Sequence, residues 1–204
     1  MYLPKHFEQT DAAALEKLLR DHPLATLVSS GPDGLTADHI PLEYDAACNT
    51  LRGHVARANP LWKVAGGRLV LAVFQGPQAY VSPSWYSSKA ETHKVVPTWN
   101  YVVVHAHGEL RVVDEAPWLL DLVTRLTRHH EAPQAKPWAV SDAPEDYVES
   151  MLRAIVGIEI PLTQLIGKWK MSQNRHEADR TGVARGLAAQ GQDQTARLVD
   201  PSMP

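Results

Sequence analysis

Four segments of the chain combine hydrogen-bonding side chains with an aromatic ring or a cation in a way that packing alone does not require. They are Ala37-Asp-His-Ile-Pro41, Gly53-His-Val-Ala-Arg-Ala-Asn-Pro60, the pair Ser82-Pro-Ser-Trp-Tyr86 and Pro97-Thr-Trp-Asn-Tyr101, and Gly167-Lys-Trp-Lys-Met-Ser-Gln-Asn174. Each falls near an expected strand end, where a planar, anionic ligand can be held. A phosphate requires cationic, hydroxyl or amide donors, and His54, Arg57 and Asn59 offer them beside a helix opening at Asn59-Pro60. A flat ring system requires stacking faces and edge donors. Trp85, Tyr86, Trp99 and Trp169 supply the faces, and Gln75, Asn100, Lys168 and Gln173 supply the donors. Any one of these tryptophans taken singly is more often a core or interface residue, so the case rests on the combination.

Other chemistries lack their residues. The chain has no GxxxxGK[ST] phosphate loop and no GxGxxG turn, which argues against nucleoside-triphosphate chemistry. Neither HExxH nor a GxSxG elbow occurs, leaving zinc-protease and α/β-hydrolase mechanisms unsupported. His105, His107 and Glu109 share one face of an expected strand and invite a metal reading, but a polar strand face facing solvent or a subunit explains them as well, and no metal site is expected. His129 and His130 stand where a helix should end, which suits the negative end of its dipole.

The elements that must position these residues follow from periodicity and punctuation. Thr10-Asp11 opens a helix with Leu15, Leu18 and Leu19 on one stripe, stopped at His22-Pro23. Residues 24–30 and 35–44 read as a hairpin around Gly31-Pro-Asp-Gly34, residues 51–55 as a strand and 59–64 as a short helix. Residues 68–75 form an apolar, β-branched run, expected to end at Gly76-Pro77. After an irregular excursion over 83–94, one long strand is expected over 98–113, bent at Gly108. Helices are expected over 115–130, 146–155 and 176–190, and a strand at Val156, Ile158 and Ile160, with Pro161 marking an edge or bulge. The tail from 191 to 204 is expected to be loose, leaving one domain over 1–190. Hairpin-length turns between the early strands argue for a compact barrel or sheet with helices at its ends: an α+β class, mainly β.

Composition sets the outer bounds. With 204 residues and 44% hydrophobic residues the chain can bury a core without disulfides, and Cys48 alone cannot form one within the chain. A formal charge of −3 gives no support to a polybasic nucleic-acid or membrane-surface protein. The apolar runs are too short to span a bilayer, and Met1 to Gln9 lacks the apolar stretch of a signal peptide, so a cytoplasmic protein with no membrane partner is expected.

Taken in order, Met1-Tyr-Leu-Pro-Lys-His-Phe7, His54-Val-Ala-Arg-Ala-Asn-Pro60, Phe74-Gln-Gly-Pro77, Ser82-Pro-Ser-Trp-Tyr86, Val96-Pro-Thr-Trp-Asn-Tyr101 and the 167–174 segment resemble the PaiB family of FMN-binding negative transcriptional regulators. The resemblance runs from Met1 to about residue 187. It implies an FMN-binding split β-barrel with peripheral helices, related to the pyridoxine-phosphate oxidase fold, and a homodimer with flavin at the subunit interface. By this resemblance Asp38, His39, Ile40 and Pro41 run beside the flavin ring, and His54, Val55, Ala56, Arg57 and Asn59 receive the phosphate. Gln75, Tyr86, Trp99, Asn100, Lys168, Trp169, Ser172 and Gln173 complete the site, the later segments from the other subunit.

Two functions stay open on the sequence. One is regulation, through DNA or a regulatory protein partner. The chain shows no helix-turn-helix with a basic recognition helix, so direct DNA contact would need a local patch such as Lys168, Lys170, Arg175 and Arg180, whose plainer reading is phosphate binding plus a solvated face. The other is an FMN-dependent oxidoreductase using NAD(P)H or another small substrate, with His39 and His54 as proton donors. No catalytic residue is assigned on the sequence alone.

Overall fold

A computed structural model describes residues 1–203. The elements run β1 (Glu8–Gln9), α1 (Ala12–Asp21), β2 (Leu24–Gly31), β3 (Gly34–Pro41), β4 (Glu43–Asp45), β5 (Thr50–Ala56), α2 (Leu61–Ala65) and β6 (Leu69–Val81). They continue with α3 (Lys89–Thr92), β7 (Thr98–Glu109), β8 (Arg111–Val113), α4 (Ala116–Glu131), α5 (Glu145–Arg153), β9 (Ile155–Lys170), α6 (Glu177–Ala188) and α7 (Asp193–Val199). The chain clusters into two compact units. The first comprises residues 1–18, 75–104 and 166–204, and the second residues 19–74 and 105–165.

The sheet order is β3-β2-β6-β7-β9-β5-β4, with β1 and β8 also on β9. β2 and β3 form the expected hairpin, in register from Leu24 opposite Pro41 to Gly31 opposite Gly34. β9 lies antiparallel to β5 from Thr50 opposite Pro161 to Ala56 opposite Ile155. Alternation places Leu51 and Val55 of β5 and Val156, Ile158 and Ile160 of β9 in the core. Gly157 is a slot rather than a weak point: a Cβ there would stand 2.4 Å from the Trp118 ring and 2.7 Å from the Val113 carbonyl. Trp118 of α4 thereby seats the helix on the sheet, and Arg125 fastens the same helix to Glu43 of β4 at 3.0 Å.

The first unit is built on β1 paired with β9, Glu8 opposite Lys168 and Gln9 opposite Gly167. Phe7, Leu15, Val81, Val102, Val183 and Leu187 are buried in it. Here α6 carries Gly182 and Gly186 one turn apart, a costly composition for a helix interior. Trp85 explains both. A Cβ at 182 would lie 2.1 Å from the Trp85 carbonyl oxygen, and one at 186 would lie 2.3 Å from its ring. The two glycines form a groove into which the 82–86 segment fits.

Four expectations are corrected. β6 does not stop at Gly76-Pro77 but continues to Val81, because apolar burial goes on at Gly76, Ala79 and Val81 and outweighs the turn chemistry. Pro161 neither ends β9 nor puts it at an edge. The strand passes through to Lys170, with Pro161 opposite the first residue of β5 and the Leu162 N–H bonded to the Asn49 carbonyl at 2.9 Å. The interruption between β7 and β8 falls at Leu110, whose backbone bonds to Gly67 and Arg68, rather than at Gly108. The tail expected to be loose contains α7, anchored by buried Thr195, Ala196 and Val199 and by a 2.7 Å bond from Arg180 to the Val199 carbonyl.

Helix propensity and packing give opposite signs for Gly182→Ala. Propensity alone favours alanine by about 1 kcal/mol. The contact with the Trp85 backbone should override it and destabilise the protein by about 1–3 kcal/mol. Chemical denaturation checks the sign, and a stabilised variant would mean that the groove is not filled as described.

Candidate flavin site

The expected site residues fall into two groups, one in each unit. The second unit holds Asp38, His39, Ile40, Pro41, His54, Val55, Ala56, Arg57 and Asn59. The first holds Gln75, Tyr86, Trp99, Asn100, Lys168, Trp169, Ser172 and Gln173.

In the second unit, Asn59 organises the corner between β5 and α2. Its amide Nδ2 donates to Asp38 Oδ1 of β3 at 2.8 Å, while its Oδ1 accepts the Leu61 N–H at 2.8 Å and so opens α2. Arg57 is engaged almost completely. It donates from Nη1 and Nη2 to the two Asp114 oxygens at 2.8 and 2.6 Å, from Nε to the Arg153 carbonyl at 2.7 Å, and from Nη2 to the Ile155 carbonyl at 2.8 Å. The hydrogen bonds to Arg57 hold the Asp114 carboxyl below the ordinary carboxylate range. The sequence offered Arg57 as a free phosphate donor; the structure shows a brace with one N–H left over. A cavity of about 330 Å³ adjoins it, bordered by Asp114, Leu119, Glu149 and Leu152.

His54 stands out differently. Its Nδ1 is buried with no hydrogen-bond partner, and burial lowers its pKa, so the ring is neutral near pH 7. A buried ring nitrogen without a partner is costly, which marks a place where a ligand or water completes the fold. Ile40 and Val55 are core residues, 4% and 5% exposed, whereas His39, Pro41 and Ala56 are exposed. β3 is the most open strand of the unit, with Leu35 77% exposed.

In the first unit, Asn100 and Ser172 form a buried pair, with Asn100 Nδ2 donating to Ser172 Oγ at 3.0 Å. Ser172 sits at φ +63°, a strained backbone for a residue with a Cβ, held by this pair and by Gln173. Gln173 accepts the Met171 N–H at 2.7 Å and donates to the Trp169 carbonyl at 2.6 Å, which makes it a turn-former rather than an outward edge donor. Trp99 is 54% exposed and meets Tyr80 edge-on at 6.2 Å between ring centroids. Gln75 is exposed on β6. Tyr86 is buried with its hydroxyl unpaired, and Lys168 is buried too. Trp85, read from sequence as a stacking face, is instead the wedge in the α6 groove.

A carboxylate that sequence reasoning passed over locks the Tyr86 segment. Asp179 of α6, 3% exposed, accepts from the Ser88 N–H at 2.9 Å, Ser88 Oγ at 2.8 Å and Ser87 Oγ at 3.0 Å. Burial pushes its pKa up, but the Ser88 and Ser87 donors and the charge of Arg175 outweigh this and hold it below the usual value. The available signal was the acidic residue in the first turn of α6, which reads equally well as a dipole partner.

Among the described residues no three His, Cys, Asp or Glu side chains converge to hold a metal ion, and no helix is long and apolar enough to cross a membrane. The His105 and His107 rings lie 6.4 Å apart. A cavity of about 730 Å³ opens between α4, α5 and the loop joining them, and contains none of the expected flavin residues.

Residues 1–164 match the family described as "Putative FMN-binding domain". The chain is 32% identical over 190 residues to the protease synthase and sporulation protein PAI 2 of Bacillus subtilis, covering 92% of this chain and 89% of that one. The chain belongs to the PaiB family of FMN-binding-domain proteins. It is also 34% identical over 232 residues to an uncharacterized protein of Emericella nidulans, covering 95% of this chain and 92% of the other. Among solved structures it resembles a flavocytochrome from Azotobacter vinelandii, with a TM-score of 0.60 at 10% identity over 82% of this chain and 72% of that one. It likewise resembles an FAD and heme binding protein from Mycobacterium smegmatis, with a TM-score of 0.58 at 14% identity over 80% and 73% of the two chains. The fold is the flavin-binding split barrel expected from sequence, a mainly antiparallel sheet with several helices, and FMN is the cofactor that defines the family.

The Asp179 lock gives stability a pH dependence. A carboxylate with a depressed folded pKa contributes fully above its unfolded value of about 3.9, and the contribution is lost as pH falls through the folded value. Asp179→Asn should therefore cost about 1–3 kcal/mol at neutral pH and flatten the loss of stability below about pH 4. Urea denaturation across pH 3–7 measures both, and an unchanged acid slope would remove Asp179 from the account.

Proposed function

We propose that this chain is an FMN-binding negative regulator of the PaiB type, acting as a cytoplasmic homodimer. The observation that carries this reading is the family match over residues 1–164, which spans every residue of the β3 to α2 corner. FMN requires a phosphate seat, an apolar wall and polar groups at the ring edge. The corner supplies the unpartnered His54 Nδ1, the remaining Arg57 N–H, the Asn59–Asp38 bridge and the apolar Ile40 and Val55. In this reading Asp38, His39, Ile40 and Pro41 border the ring, and His54, Val55, Ala56, Arg57 and Asn59 form the phosphate end. Gln75 adds an edge donor, and Tyr86, Trp99, Asn100, Lys168, Trp169, Ser172 and Gln173 complete the site from the second subunit.

Two features support a dimer. β3 ends the sheet order with most of its side chains exposed, and Leu24, Leu35 and Leu69 of the second unit are 60%, 77% and 74% exposed. Bound FMN would bring hydride and electron chemistry, so the flavin's redox state is a natural signal to pass to a DNA or protein partner. The described helices include no basic recognition helix, which favours a protein partner over direct DNA contact.

Arg57→Ala should weaken FMN about tenfold or more while weakening riboflavin much less, because riboflavin has no phosphate. Fluorescence titration of both flavins reads the difference; equal losses would reduce Arg57 to a structural brace. Sedimentation under dilution tests the shared site: flavin should leave as the dimer dissociates, and a monomer that keeps its full complement would refute it. A substrate-dependent rate of NAD(P)H oxidation by the flavin-loaded protein would turn the assignment to an FMN-dependent oxidoreductase.

A further inference from the structure

The cavity between α4, α5 and their joining loop lies wholly within the second unit and measures about 730 Å³. Small-molecule sites typically enclose about 300–1,000 Å³. Its loop wall is held in shape by its own hydrogen bonds. Glu131 accepts the Trp138 N–H at 2.9 Å, and Asp142 accepts the Ala139 N–H at 2.9 Å, closing a single helical turn over Val140–Asp142. These bonds fix the Trp138 backbone, yet its side chain is 48% exposed, and Leu120 of α4 is 40% exposed. With Val140 and Val148 they give the cavity a mostly apolar lining. An exposed leucine or tryptophan standing alone is ordinary; several sharing one concave surface on an ordered wall make a place for an apolar group.

The polar side chains on the same lining are uncommitted. Among the described residues Arg128, Glu145, Thr127 and Ser141 make no side-chain hydrogen bond or ion pair. Other charges on and around these helices do find partners: Arg125 with Glu43 and Asp121, Arg153 with Glu149, and Arg57 with Asp114. Arg128 and Glu145 carry opposite signs and border one cavity, but they do not meet. A ligand bearing only an anion would satisfy Arg128 and face Glu145, and one bearing only a cation would do the reverse. A zwitterion answers both, because a guanidinium fork matches a carboxylate and a carboxylate accepts the protons of an ammonium. The Thr127 and Ser141 hydroxyls add donors and acceptors between the two.

We infer that this cavity binds a small zwitterion with a large apolar body, the chemistry of a free amino acid with an aromatic or branched side chain. Arg128 takes the carboxylate, Glu145 takes the ammonium, and Trp138, Leu120, Val140 and Val148 receive the side chain. The site stands apart from the flavin reading, since none of its residues belongs to the expected flavin site.

The test titrates the full chain calorimetrically with L-phenylalanine and with three probes that each lack one part of it: phenylpropionate without the ammonium, phenylethylamine without the carboxylate, and glycine without the apolar body. One phenylalanine per chain is expected, with each of the other probes at least about tenfold weaker. Arg128→Gln should erase the advantage of phenylalanine over phenylethylamine, and Glu145→Gln its advantage over phenylpropionate. Trp138→Ala should weaken all three aromatic probes. The three side chains are exposed, so these variants should fold. Absence of saturable phenylalanine binding, binding that the variants leave unchanged, or phenylpropionate or phenylethylamine binding as tightly as phenylalanine overturns the proposal. A change in the sedimentation of the chain on Trp138→Ala also overturns it, because a second copy would then cover this face. Repeating the titration with FMN added separates the two sites: unchanged binding supports the proposal, and loss of binding would put the probe in the flavin's own place and overturn it. If FMN itself does not bind, the flavin reading falls while the titration of the flavin-free chain still decides this one.

Discussion

β9 is the strand on which the rest of the structure depends. Its sixteen residues supply a pairing edge to β5 and β8 in the second unit and to β1 in the first. A strand of this length must keep its alternation throughout, because a slip of one residue would exchange every buried side chain for an exposed one. The register is pinned by particular groups: Gly157, which leaves room for Trp118, and the salt bridge of Arg52 with Glu159 across the β5 pairing at 2.8 Å. Passage through Pro161 sacrifices one backbone donor, and in return it lets the same strand present Lys168 and Lys170 at its far end.

The two groups of site residues owe their character to different physics. Around β5 and α2 the polar side chains satisfy one another, so Arg57, Asn59, Asp38 and Asp114 form a corner whose geometry is set before any ligand arrives. Preorganisation of that kind reduces what a ligand must spend on ordering the protein. In the first unit the polar groups are left wanting, with a buried ammonium, an unpaired phenol and a strained Ser172. Strain and unmet hydrogen bonds survive in a fold when surrounding contacts over-determine them, here the Asp179 lock and the Trp85 wedge.

Much of this was legible in the residue order. The hairpin at Gly31 to Gly34, the Asn59-Pro60 helix start and the amphipathic α4 follow from local rules, and each stands where those rules put it. What sequence could not show were the outcomes of competition between distant groups. Arg57 has the chemistry of a phosphate ligand, yet Asp114 lies 57 positions away and only folding brings the two together. Gly76-Pro77 and Pro161 carry turn chemistry that tertiary burial overrides. Gly182 and Gly186 looked like a weak helix until Trp85 gave them a use.

That last arrangement, like Trp118 against Gly157, bears on how the chain can change over time. A ring and the hydrogen atom it replaces a side chain for are one feature written at two positions. Drift cannot enlarge the glycine first, because the ring is already there, nor shrink the ring first without opening a void. A single substitution at such a place costs stability that a matching change at its partner would restore, so positions 118 and 157, and position 85 with 182 and 186, are expected to vary as coupled characters.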